Sequence, residues 1–264
     1  MSTESTSRFV KIVTPFLLLY MLAPLLVVIA ISVSDNFLAT FPPKGFTLNW
    51  YVHVLGDAKF QHAFMTSLTL AVIATLAALL LGAPAAIVIH RGDLPGCQLI
   101  ETLLLSPMIL PILITGLAML QFFSVAQMYS VPVNLFVGHT MIILPYMLRT
   151  LLASFKQIDH SLEEAASTLG ASPVSVFCFV TLPQIMPGVL AGCLFAFLVS
   201  FDDFPISFWL ADARTEPLPI YLHHALASIF DPSIAAISSL MILTSVVTIL
   251  ALERFVGVRK AMGI

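Results

Sequence analysis

Charge is what this sequence has least of. Asp, Glu, Lys and Arg make up 9% of its 264 residues, whereas a soluble domain carries about 25%. So few charges exclude an ordinary water-soluble domain. The net charge of −3 gives no sign of a nucleic-acid partner. Cysteine is also scarce. Cys97, Cys178 and Cys193 show no metal-ligand spacing and read as small apolar residues. There is no G-x-x-x-x-G-K-[ST] phosphate loop, so the chain does not hydrolyse ATP by that route. There is no H-E-x-x-H helix either, which removes a zinc peptidase. The chain is expected to be no catalyst and to hold no cofactor or metal.

What is abundant is apolar. The hydrophobic share is 59% and the mean hydropathy is +1.03. The expectation is an all-α membrane protein with one domain of about six spans of ~20 residues each. The apolar runs fall at 10–34, 64–89, 100–125, 131–152, 185–210 and 234–252. The first run is too long for a signal-peptide core and no A-x-A site follows it, so it reads as a retained span. Residues 1–9 form a polar tail and 256–264 a short basic one, leaving 10–255 as the membrane domain.

Lysine and arginine suggest the orientation. With the N-terminus inside, six spans return the C-terminus inside. Arg8, Lys11, Arg91, Arg149, Lys156, Arg254, Arg259 and Lys260 then face the cytoplasm, and Lys44, Lys59 and Arg214 face outward.

One polar interruption stands out in the second half, SLEEAASTLGASPVSVFCFVTLP at 161–183, within a loop of 154–184. It reads as two short helices. Ser161 and Glu164 form an S-x-x-E capping box. Leu162, Ala165, Ala166 and Leu169 follow at i, i+3, i+4 and i+7, a narrow stripe that lets another surface approach closely. Gly170 stands where a helix ends with positive φ. Ser172-Pro173 restarts a helix with a serine cap and proline at the first position. Leu182-Pro183 is expected to close the unit.

Glu164-Ala165-Ala166, then Gly170, Val180 and Leu182-Pro183, resembles the EAA loop of bacterial ABC importer permeases. That family has isoleucine where Val180 stands. The resemblance implies a type I permease with a cytoplasmic coupling helix, in which Glu163, Glu164, Ala165, Ala166, Leu169, Gly170, Leu182 and Pro183 meet a separate ATPase. It implies a second permease, identical or different, two ATPase subunits that bind ATP and Mg, and an external binding protein, at the bacterial inner membrane. The loops 35–62 and 211–232 would meet that binding protein. Thr66-Ser67-Leu68, Ser106-Pro107 through Pro111 to Thr115-Gly116, Ser200-Phe201-Asp202-Asp203-Phe204 and Leu218-Pro219 look like the spermidine and putrescine permeases. Two positions depart from them. Ile112 stands where that family often has an acidic residue, and Pro205 where it tends to have an aliphatic one. Other amine-bearing solutes, such as an opine or an aminophosphonate, stay open as substrates. An ion-gradient-driven transporter is the alternative outside the class.

Asp202 and Asp203 sit in an apolar run, and a charge at membrane depth costs about 2.5–3.5 kcal/mol even on the lenient insertion scale. Adjacent helical residues point ~100° apart, so one carboxylate rather than both is expected to face a pathway. Pro205 has no N–H for the carbonyl of Phe201 and should kink the helix. Carboxylate, free carbonyl and the rings of Phe201, Phe204 and Trp209 would suit an organic ammonium ion. The other reading is that the acids mark the membrane boundary or pair with Arg214. Pro107 and Pro111 break the third span, as path-lining helices in transporters do, or as packing kinks do. His139 and Asn134 are expected to bond to neighbouring helices. His223-His224 have no third ligand nearby.

Overall fold

The computed structural model describes residues 2–37, 40–92, 95–228 and 232–256. Asp93, Leu94 and residues 257–264, with Arg259 and Lys260 of the expected basic tail, lie outside them. Twelve α-helices are described: α1 Ser2–Ser32, α2 Asn49–Gly56, α3 Ala58–Arg91, α4 Cys97–Leu105, α5 Ile112–Val125, α6 Val131–Phe155, α7 His160–Thr168, α8 Pro173–Val176, α9 Leu182–Phe201, α10 Pro205–Leu210, α11 Leu218–Ser228 and α12 Ser233–Val256. Among the described residues five stretches are long and apolar enough to cross a membrane: Val13–Ser32, Ala58–Arg91, Val131–Phe155, Pro173–Phe201 and Ser233–Ala251. A sixth is added if Cys97–Met108 and Ile112–Val125, bent by 103° at their break, count as one span. The described residues are all-helical, with five or six candidate spans against the six apolar runs of the sequence.

Two compact units divide the chain, one from residues 1–61 and 222–244, the other from 62–221 and 245–264. In the first, α1 begins at Ser2, so the polar residues expected as a tail continue the helix. Beyond α1 the chain folds back on its end. Trp50 Nε1 donates to the Ser34 carbonyl at 2.8 Å, and Tyr51 Oη shares a 2.7 Å bond with Ser32 Oγ. An isolated bridge pairs Ser34 with Phe46. The polar loop expected at 35–62 therefore carries local structure, with α2 and the start of α3 inside it.

The second unit carries the larger core, centred on α6. Ile143, Met147, Leu148 and Leu151 are fully buried there. Transmembrane packing is built by close approach of small residues, because lipid is as apolar as leucine. Gly188 of α9 shows this directly. A Cβ on it would lie 1.6 Å from Ser154 Oγ of α6. Gly116 of α5 plays the same part for α10, where a Cβ would lie 2.7 Å from Trp209 Cδ1. Pro107 sits in a 3-10 turn, Ser106–Met108, and Pro111 stands at the N-cap of α5. The two prolines thus punctuate a true break between helices.

The largest difference from expectation lies at Leu182-Pro183. They do not close the polar unit. The helix runs on from α8 through a π-helical turn, Phe177–Thr181, into α9. The wide turn bonds the Leu182 N–H to the Phe177 carbonyl, and Pro183 falls in the first turn of α9. A proline there has no hydrogen bond to break, because the register has just shifted.

Candidate functional site

Two polar regions carry the candidate residues. The first is α7 and the turn that follows it. The Asp159 carboxylate, not Ser161, caps α7, accepting from the Ser161 N–H at 3.0 Å and from its hydroxyl at 2.7 Å. A carboxylate is the stronger acceptor at a helix start, so the helix opens earlier than the capping box implies. These two bonds, the hydroxyl first, hold the Asp159 carboxyl below the usual range. Gly170 has φ +87° with nothing within 4 Å of a Cβ, so its role is conformational, not steric. Ser172 Oγ accepts from the Ser175 N–H, with Pro173 at the first position.

The apolar stripe of α7 is turned outward. Leu162 is 50% exposed, Leu169 88%, and Ala165 is exposed while Ala166 is half-buried. Glu164 is exposed and Glu163 half-buried. Thr181 donates its hydroxyl to Glu163, and His160 Nδ1 lies 3.3 Å from the other carboxylate oxygen. The Thr181 bond is the main cause that holds the Glu163 carboxyl below its usual range. Leu182 is half-buried and Pro183 exposed. Short polar helix, open apolar stripe and fixed ends together make a surface suited to docking.

The second region is the break between α9 and α10. The expected kink is a full interruption. Asp202 caps the end of α9 and α10 restarts at Pro205. Asp203 Oδ2 accepts from the N–H groups of Ile206 at 3.0 Å and Ser207 at 3.2 Å. That satisfies two donors that the helix start leaves bare. His139 of α6 fills the space beside it. Its Nδ1 bonds Ser200 Oγ at 2.8 Å and its Nε2 bonds Ser207 Oγ at 3.1 Å, with Asp203 Oδ2 3.9 Å from Nε2. Both serines can donate or accept, so either tautomer is satisfied.

The break therefore separates the two acids. Asp203 is 5% exposed and occupied by backbone, whereas Asp202 is exposed. The aromatic rings are also separated. Phe201 is 1% exposed, with its ring edge-on to Phe64 at 5.9 Å and stacked on Phe197 at 5.8 Å. Phe204 and Trp209 are half-buried, each beside Phe208 at 5.4 Å. Of the two acids and the three rings expected to hold an ammonium ion, Asp202, Phe204 and Trp209 keep surface to offer a ligand. Pro107 is half-buried and Pro111 exposed.

Sequence reasoning singled out His139 but not the cluster around it. Ser200, Asp203 and Ser207 are spaced i, i+3 and i+7 in the sequence, which was the available signal. Asn134 bonds the Met128 carbonyl at 2.9 Å rather than a neighbouring helix. His223 and His224 meet edge to face at 5.9 Å, and no metal-binding group of three occurs among the described residues.

Residues 78–258 match the family described as binding-protein-dependent transport system inner membrane component. The putrescine transport system permease protein PotI of Escherichia coli K12 is 31% identical over 246 residues, covering 90% of this chain and 86% of that protein. The spermidine/putrescine transport system permease protein PotC of Haemophilus influenzae is 29% identical over 202 residues, covering 76% and 79%. Among solved structures, a bacterial ABC transporter that imports the acidic polysaccharide alginate is similar with TM-score 0.71 at 17% identity, over 95% of this chain and 97% of that one. An amino acid ABC transporter matches with TM-score 0.63 over 80% and 98%. At such identities these structures speak for the fold.

Proposed function

The chain belongs to the family of inner membrane components of binding-protein-dependent transport systems, and from that premise we propose that it forms the translocation path for a polyamine. A permease of this family is a multi-pass inner membrane transport subunit of an ABC importer, not a catalyst, and holds no cofactor. The polyamine reading goes further. It is carried by the 31% identity, over 90% of the chain, with a putrescine permease. Asp202 supports it, as an exposed carboxylate beside a broken helix. An ammonium group is its natural partner, and the half-buried rings of Phe204 and Trp209 can add cation–π attraction.

The working arrangement pairs this chain with a second permease, two ATPase subunits that bind ATP and Mg, and an external binding protein. Both termini and α7 face the cytoplasm. ATP closes the ATPase dimer, α7 moves with it, and the spans open outward to take the amine from the binding protein. Hydrolysis returns them inward.

The test is ATP hydrolysis by the complete complex in nanodiscs, with the binding protein present, across a panel of amines. Stimulation by putrescine or spermidine supports the reading. Stimulation confined to an opine or an aminophosphonate keeps the importer and overturns the polyamine. Uptake that runs on an ion gradient without ATP overturns both.

A further inference from the structure

The junction between α7 and the head of α9 is built more tightly than a docking surface alone requires. Two side chains of the α9 head, three residues apart, reach the start of α7. Thr181, buried in the last position of the π-helical turn, donates to the Glu163 carboxylate. Gln184, one turn further, accepts from the Asp159 N–H at 3.1 Å through Oε1 and donates to the Val180 carbonyl at 3.0 Å through Nε2. A glutamine that bonds on both sides holds its own rotamer while it holds the helix. Glu163 is also held on its other oxygen by His160.

A second link runs sideways. The His160 ring stacks on His90 at the end of α3, 5.5 Å apart and 7° from parallel, and His90 stacks on Phe155 of α6 at 5.1 Å and 24°. These groups border a cavity of about 390 Å³, which Arg91, Glu163 and Thr181 also line. The outer stripe of α7 is thus open while its inner edge is fastened to the head of α9 and, through the His90 ring, linked to α3 and α6.

The π-helical turn gives the fastening a purpose. Such turns interrupt a span at one place and recur at functional sites. Here the turn lies between α7 and the apolar length of α9, and the residue that ends it is the one that grips α7.

We propose that Thr181 and Gln184 are positioning residues of coupling: through Glu163 and the Asp159 N–H they clamp α7 to the head of α9, so that displacement of α7 by a partner moves the span. The proposal rests on the importer reading above. It assigns Glu163 an inward role, fixing α7 to its own chain, and leaves contact with the ATPase to Leu162, Glu164, Ala165 and Leu169. The Glu163 bond is charge-assisted and so among the stronger ones.

The experiment measures ATP hydrolysed per amine imported, in proteoliposomes holding the complete complex and its binding protein. Thr181→Val keeps shape and removes the hydroxyl. Gln184→Leu removes the second clamp. Together they should raise the ratio at least tenfold, roughly the scale expected from losing one charge-assisted and one ordinary hydrogen bond. Thr181→Ser beside an intact Gln184 keeps the hydroxyl and should hold the ratio near the parent value. Glu163→Gln should add little on top of Thr181→Val, since the link it would weaken is already gone. Gly170→Val serves as the control for coupling. A normal ratio in the Thr181→Val, Gln184→Leu variant beside a raised ratio in Gly170→Val overturns the clamp and leaves the importer reading standing. Normal ratios in both variants overturn the clamp and the coupling role of α7 together.

Discussion

The docking unit and the α9–α10 break use the same local chemistry in opposite surroundings. Each starts a helix with a carboxylate on backbone N–H groups, Asp159 in one and Asp203 in the other. Each places a proline at a first helical position, Pro173 and Pro205. Asp159 is exposed, and water can replace what it supplies. Asp203 is buried, and it alone is seen to accept from the N–H groups of Ile206 and Ser207. The same device is optional in the first region and obligatory in the second. That difference separates their uses. A cap that water can replace leaves a surface free to be shaped by a partner. A cap that must stay buried holds a broken span in one shape.

The largest predicted effect breaks the buried side of the comparison. Asp203→Ala leaves two buried donors unpaired at about 1–3 kcal/mol each. The thermal midpoint of the detergent-solubilised protein should fall clearly, and Asp203→Asn, which keeps an acceptor, should recover most of it. If Asp203→Ala melts like the parent, the cap is not obligatory. Next comes Gly170→Val on the exposed side. A branched side chain at φ +87° is strained by about 1–2 kcal/mol. ATP-driven uptake should fall severalfold while the amount of protein in the membrane stays level on an immunoblot. Uptake at the parent rate would remove α7 from the coupling path.

A smaller effect separates the two acids themselves. Asp202→Asn should weaken amine uptake through its concentration dependence and leave the thermal midpoint alone, the reverse of Asp203→Ala. Unchanged uptake kinetics in Asp202→Asn would end its assignment as the cation partner. Smallest of all is the response to pH at Asp159. Its folded pKa is depressed by Ser161, so its stabilisation is complete above the unfolded value and lost as pH falls through the folded one. Between pH 6 and 8 Asp159→Ala should therefore change uptake by a constant factor. A factor that varies across that window would mean another titrating group acts through the cap.

The two regions also differ in how far they could be read beforehand. The spans, the breaks at Pro107 and Pro111, Gly170 and the Ser172-Pro173 start were legible, because each rests on a local rule of hydropathy, φ or capping. The start of α7 was not, because Ser161 and Asp159 compete for the cap and only the folded backbone decides. The passage through Leu182-Pro183 was hidden for a different reason. A π-helical turn has no sequence period, and it moves proline to a register where it does no harm. The cluster of His139, Ser200, Asp203 and Ser207 needed the packing of α6 against α9 and α10, which no single segment carries. The junction of Thr181 with Glu163 joins side chains 18 positions apart across a loop, and is likewise a product of the fold.

The central claim is that the exposed stripe of α7 seats a separate ATPase, and the most direct measurement is site-specific photo-cross-linking in cells that express the full transport system. A cross-linker at Leu169 should give an adduct with the ATPase. One at Ile109, also apolar and largely exposed but in the α4–α5 break, should give none. An ATPase adduct from Leu169 alone is the predicted result. Its absence from Leu169, or its equal appearance from Ile109, would contradict the account.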